Sequence, residues 1–180
     1  MSQLDIVLNL IDNVTSARPH VLVGIGGHGG SGKSTLALAI SHARTDTQII
    51  GTDSFWNGTQ FELPRLRTDV VDALLRGEHA TYASWDWAGS TPGPRRTVAP
   101  SGVVVIEGVC ALHEMFRHDL DVRIWISAPA DVRLERGVAR DGEGSRARWT
   151  DVWIPSEDAY VARDNPVACA HVVIDGTQPY

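Results

Sequence analysis

Residues 27 to 34 read Gly27-His28-Gly29-Gly30-Ser31-Gly32-Lys33-Ser34 and meet the pattern G-x-x-x-x-G-K-[ST] at every fixed position. Glycine at this density lets the backbone curl until successive N–H groups face inward, and a following helix adds its positive end. The chemistry this makes available is phosphate binding. Lys33 would reach the β- and γ-phosphates of a nucleotide, the Ser34 hydroxyl would enter the shell of a magnesium ion, and Thr35 would touch the α-phosphate. The expected nucleotide-binding residues are therefore Gly27, His28, Gly29, Gly30, Ser31, Gly32, Lys33, Ser34 and Thr35, with ATP and Mg2+ as ligands. His28 is expected to be a variable loop residue facing solvent or substrate rather than a catalytic base.

Three further groups could act on a bound nucleotide. Asp53, in Gly51-Thr52-Asp53-Ser54-Phe55-Trp56, follows an apolar run, where a carboxylate can accept the proton of an attacking hydroxyl. Glu107 ends the run Val103-Val104-Val105-Ile106 and stands where an acid supports a metal ion beside Ser34. Arg133, Arg136 and Arg140 lie three and four apart on one face of a helical stretch, with Arg146 and Arg148 beyond. Arginines on a mobile lid would stabilise the charge of a transferring phosphoryl group, and Arg136 and Arg140 are the candidates for that role. No N-K-x-D segment is present to read a guanine base, which argues against a switch GTPase.

These residues need a scaffold, and the apolar pattern supplies one. Val21 to Ile25 enters the glycine cluster and Ser34 to Arg44 resumes helical spacing, so the pattern sits between a strand and a helix. Gln48 to Gly51, Val103 to Ile106, Val122 to Ile126 and His171 to Ile174 are further strand candidates. Helical spacing recurs from Leu4 to Val14, ending before Arg18-Pro19, and over Asp69 to Arg76, Asp131 to Arg140 and about Ala147 to Arg163. Continuous apolar strands alternating with helices predict an α/β fold with a five-stranded parallel sheet. Ser84 to Pro100 carries no period and is expected to be a long surface excursion, and Asp141 to Arg148 a second irregular segment. The 180 residues fit a single domain spanning 1–180, with a small helical lid about 133–148.

A formal net charge of −6 argues against a nucleic acid polymer as partner, because that requires a basic face. No apolar run approaches a membrane span, and Met1 to Asn13 lacks the layout of a signal peptide, so the cytoplasm is the expected location. Cys110 and Cys169 lack metal-ligand spacing and are expected as thiols. A small-molecule substrate is the expected partner, and a homo-oligomer is compatible with the sequence.

In order and spacing the chain resembles the uridine kinase and phosphoribulokinase branch of the P-loop kinases. The resemblance rests on Gly26 to Thr35; on Thr52-Asp53-Ser54-Phe55-Trp56, similar to D-S-F-Y; on Glu107-Gly108-Val109-Cys110-Ala111-Leu112, similar to E-G-I-x-A; and on Asp131-Val132-Arg133-Leu134 through Arg140-Asp141, similar to the lid helix. Pro155 to Tyr160 with the closing Ala170 to Asp175 strand is a weaker match. The resemblance implies a three-layer P-loop NTPase sandwich and an ATP- and magnesium-dependent phosphotransferase acting on the 5′-hydroxyl of a pyrimidine nucleoside. It implies that Asp53 is the base, that Asp86 within Trp85-Asp86-Trp87 holds the ribose, and that His113 lines the base pocket, with Trp56 available to stack a flat ring. A different acceptor such as a sugar, vitamin precursor or antibiotic, or an ATP-binding regulator without turnover, are the alternatives.

Overall fold

The computed structural model describes residues 1–14 and 18–180. Its first helix, α1 (Gln3–Asp12), starts at a capping box in which the Ser2 hydroxyl accepts from Asp5 N–H at 3.1 Å and the Asp5 carboxylate accepts from Ser2 N–H at 2.8 Å. Strand β1 (His20–Gly27) then runs into the glycine loop, and α2 (Lys33–Ala43) leaves it. Strands β2 (Thr47–Gly51), β5 (Gly102–Glu107), β6 (Val122–Ser127) and β7 (Val172–Asp175) join β1 in a five-stranded sheet of order β2-β5-β1-β6-β7, every pairing parallel.

Both faces of the sheet are covered, which is why its strands read as continuous apolar runs. Val23, Ile25, Val103, Val105 and Ile124 pack on one side with Val7 and Ile11 of α1 and Leu36 and Ile40 of α2. Leu22, Val104, Ile106 and Trp125 face the other side, against Leu66, Val70, Val71 and Leu74. Those four belong to a helical run formed by α3 (Leu63–Leu66), a π-helical turn (Arg67–Val71) and α4 (Asp72–Leu75), which begins earlier than the helix expected from Asp69. The α/β class and the five-stranded parallel sheet are as expected.

Two segments differ from expectation. Ser84 to Pro100 is no irregular excursion: β3 (Ala80–Asp86) and β4 (Thr91–Val98) form an antiparallel hairpin. Ala80, Tyr82, Ser84 and Val98 are buried, whereas most of β4 is exposed, so the apolar alternation is short. A bulge between Ala83 and Trp85 breaks the period further. Pro92 and Pro94 are tolerated because β4 has a neighbour on one side only, so a missing donor can face away from the ladder.

Asp141 to Arg148 is helical rather than irregular. Helix α5 (Ala130–Asp141) stops at Gly142, a 3₁₀ turn follows (Glu143–Ser145), and α6 (Arg146–Arg148), a π-helical turn (Trp149–Trp153) and α7 (Ile154–Asp164) continue the path. Trp149 holds this segment down. Its indole is buried against Gly137, and its Nε1–H donates to Asp141 at 3.1 Å. A Cβ at Gly137 would overlap the Trp149 ring. Gly137→Ala is therefore expected to destabilise by about 1–2 kcal/mol, overpacking outweighing the gain of about 1 kcal/mol in helix propensity. Urea denaturation followed by tryptophan fluorescence checks it, and an unchanged midpoint would remove the packing role.

Candidate active site

Strand register brings the candidate residues together. Glu107, the last residue of β5, lies opposite Ile25 of β1 on one side and Gly51 of β2 on the other. The glycine loop, the Glu107 carboxylate and the 3₁₀ turn Thr52–Phe55 that carries Asp53 thus all emerge at the carboxyl edge of the sheet, where ligands bind in open α/β folds.

Within the loop, Ser31 N–H donates to the His28 carbonyl at 3.2 Å, and the Lys33 ammonium donates to the same oxygen at 2.8 Å. Gly30 has φ +73°, and a Cβ there would run into the Arg133 carbonyl of α5, so only glycine allows this close approach. Ser34 and Thr35 are exposed at the start of α2. The Ser34 hydroxyl donates to Glu107 Oε1 at 3.2 Å.

The electrostatics are those of a desolvated charge cluster. Burial pushes the Lys33 ammonium below the usual lysine value, while Glu107, Glu157 and Asp53 oppose that shift. Burial pushes the Glu107 carboxyl up, with Lys33 acting against it. Asp53 opens to the crevice yet is ringed by protein, and the partial loss of water raises its carboxyl, with Lys33 and Arg140 pulling it back.

The arginines part company. Arg133 is buried, donates through Nε to the Ala128 carbonyl at 3.1 Å, and keeps one Nη without a hydrogen-bond partner. Arg136 donates to the carbonyls of Gly176 at 2.9 Å and Gly30 at 3.4 Å, so it ties the loop to the segment after β7. Arg140 holds Asp141 through two hydrogen bonds of 2.7 and 3.0 Å, lies 5.8 Å from the Trp149 ring centre, and its charge reaches Asp53 and Lys33. Arg146 is engaged with Glu135 and Glu143, and Arg148 lies over Trp153.

The remaining candidates are placed less centrally. Trp56 stacks on Trp87 with ring centres 5.8 Å apart and meets Phe61 edge-on. Asp86 is exposed at the end of β3, where it accepts from Ala88 N–H at 3.0 Å. His113 stacks on Tyr160 and puts Nε2 3.3 Å from the buried Asp164 carboxylate. Its Nδ1 accepts from Met115 N–H, and burial lowers its pKa against the pull of Asp164. Inside the loop, His28 pairs with Asp158 at 3.1 Å and meets Trp125 edge-on. Besides Asp158, residues absent from the sequence-based set that touch the loop include Glu157, which accepts from Gly29 N–H at 2.8 Å, and Tyr180, whose hydroxyl donates to the Gly32 carbonyl at 3.2 Å. None of them has a signature in spacing.

The donor set fits a magnesium nucleotide. The loop's backbone amides, the Lys33 ammonium and the Arg133 nitrogen that makes no hydrogen bond suit polyphosphate oxygens. The Ser34 hydroxyl and Glu107 carboxylate are hard oxygen donors of the kind magnesium accepts, one or two from protein and the rest from phosphate and water. Among the described residues no group of three or more His, Cys, Asp or Glu could hold a metal ion. Among the same residues no helix is long and apolar enough to cross a membrane.

No protein-family model matches the chain. It is 30% identical over 143 residues to the uridine kinase of Halobacterium salinarum, a match covering 68% of this chain and 63% of that one, so it spans less than two thirds of that relative's length. Among solved structures, a possible uridine kinase from Bacillus stearothermophilus superposes with a TM-score of 0.74 at 19% identity, covering 96% of this chain and 97% of that one. A Silicibacter protein provisionally described as a fructose transport system kinase follows at 0.69 and 20% identity, covering 90% of this chain and 95% of that one.

Proposed function

We propose that this chain, which belongs to the uridine kinase-like family of P-loop kinases, transfers the γ-phosphoryl group of ATP to a hydroxyl of a small molecule, foremost the 5′-hydroxyl of a pyrimidine nucleoside. The observation that supports this is the row Ile25, Glu107, Gly51, which brings the glycine loop, the Glu107 carboxylate and the turn carrying Asp53 to one edge of the sheet.

In this assignment the loop amides and Lys33 hold the β- and γ-phosphates, and Ser34 and Glu107 hold magnesium, which when bound would neutralise phosphate charge. Asp53 receives the proton of the acceptor hydroxyl. The hydroxyl oxygen forms its bond to the γ-phosphorus as the bond to the β–γ bridging oxygen breaks, leaving ADP. Arg140, whose charge acts on Asp53, would offset the charge that develops. Arg136, already committed to two carbonyls, keeps the loop and the segment after β7 in register.

One observation favours an acceptor other than a nucleoside: His113 directs Nε2 to Asp164, so its pairing must change before it can address a base. ADP release in the presence of ATP and magnesium, measured against uridine, cytidine, other nucleosides and unrelated alcohols, separates the two. Release that requires a pyrimidine nucleoside and drops at least about a hundredfold in Lys33→Ala is the expected result. Turnover with other alcohols alone would keep the kinase and reject the nucleoside.

A further inference from the structure

Helix α7 lays two adjacent acidic side chains on two adjacent residues of the phosphate loop. Asp158 takes His28, and Glu157 takes the Gly29 amide. The Asp158 side chain remains 58% exposed, whereas that of Glu157 is 13% exposed and thus largely stripped of water. Its surroundings are cationic. One Arg133 nitrogen, buried and without a hydrogen-bond partner, lies 4.0 Å away, and the Lys33 ammonium sits on the carbonyl of His28, the residue before Gly29.

A backbone amide of the loop, the loop lysine and a buried arginine are the donors a phosphoryl group would use. A carboxylate in their midst has the sign and the acceptor geometry of phosphate oxygens. The lysine of this motif addresses the β- and γ-phosphates, and its ammonium lies on the His28 carbonyl, next in the chain to the Gly29 amide that Glu157 accepts from, so the Glu157 carboxylate stands where the terminal phosphate would be held. A second anion arriving there meets repulsion in a poorly hydrated site, where like charges a few ångströms apart interact strongly.

We propose that Glu157 is an internal competitor for the γ-phosphoryl end of the cradle: in the empty site it holds the Gly29 amide amid the Lys33 and Arg133 charges, and ATP must displace it whereas ADP need not. This rests on the kinase assignment above and adds a residue that sets the balance between nucleoside triphosphate and diphosphate. Glu157 belongs to the helix that continues the lid path, so its displacement also links triphosphate occupancy to the position of α7. After transfer the carboxylate returns to the amide and the cradle is never left as an uncompensated cluster of donors.

The test is calorimetric titration of the whole chain, with magnesium, by ADP and by a non-hydrolysable ATP analogue. Glu157→Gln keeps the size and an acceptor oxygen but removes the charge. It is expected to tighten the ATP analogue by about tenfold or more and to change ADP by less than about threefold. Asp158→Asn, altering the neighbouring contact, is expected to affect both nucleotides alike. Weaker analogue binding in Glu157→Gln, an equal change for both nucleotides, or no change would overturn the competitor. Glu157→Ala, read in the same way, decides the matter if the glutamine variant does not fold. Binding of neither nucleotide by wild type or variants would remove the kinase assignment itself, an outcome distinct from wild-type binding without the shift.

Discussion

Asp53→Asn is expected to lower kcat by about 10²–10⁴-fold while changing ATP affinity by no more than about threefold. Asparagine preserves the shape of the side chain and one acceptor oxygen but cannot take a proton. The carboxylate is active only when ionised, so kcat/KM should hold at higher pH and fall as pH drops through the Asp53 pKa. Partial desolvation raises that pKa, so the acid limb should lie above the ordinary aspartate range, with Lys33 and Arg140 limiting how far. In Asp53→Asn the limb should be lost from the residual activity. A pH–rate profile beside nucleotide titration makes the check, and equal loss of binding and turnover would move Asp53 from base to nucleotide ligand.

Gly108→Ala is expected to have the largest effect on stability. Gly108 follows Glu107 with φ +146°, and a Cβ there would overlap the Thr52 hydroxyl, itself buried and without a partner. Backbone strain and overpacking together predict a loss of about 2–4 kcal/mol. Thr52 immediately precedes Asp53, so the same methyl that loosens the fold should also separate the base from Glu107 and depress turnover. Adding Thr52→Ala removes the overlapping hydroxyl but leaves the Thr52 Cβ 2.8 Å from the new methyl and the unfavourable φ, so the double variant should recover only part of the stability. Urea denaturation of the single and double variants measures this. Full recovery would mean that the backbone at residue 108 carries no strain.

Much of the phosphate site was legible because its information is local. Glycine spacing from Gly27 to Gly32, followed by Lys33-Ser34, specifies a loop whose conformation depends on neighbours in the chain. The placing of Glu107 and Asp53 at one edge of the sheet was legible for a related reason, since Glu107 closes one apolar run, Asp53 lies just beyond another, and strands of a parallel sheet end on the same edge. The helix Asp131 to Arg140 was visible in its spacing, although spacing alone could not separate Arg136, bound to two carbonyls, from Arg140, which holds Asp141 and lies over the Trp149 ring.

The hairpin stayed hidden because β4, with two prolines and little burial, acquires strand character only from β3 beside it. The segment after Asp141 likewise owes its helical path to Trp149 on Gly137 and Asp141, a packing event between neighbouring elements. Glu157 shows the limit most clearly, since its contact with Gly29 spans 128 residues. By itself the sequence determined the parallel α/β scaffold, the glycine loop between strand and helix, and the two acids at the carboxyl edge of the sheet, because glycine spacing and apolar runs act through chain neighbours. Only the tertiary structure decided which arginine ties down the loop, where the histidine and tryptophan candidates lie, and which carboxylate occupies the loop, because those placements are set by packing between residues far apart in the chain.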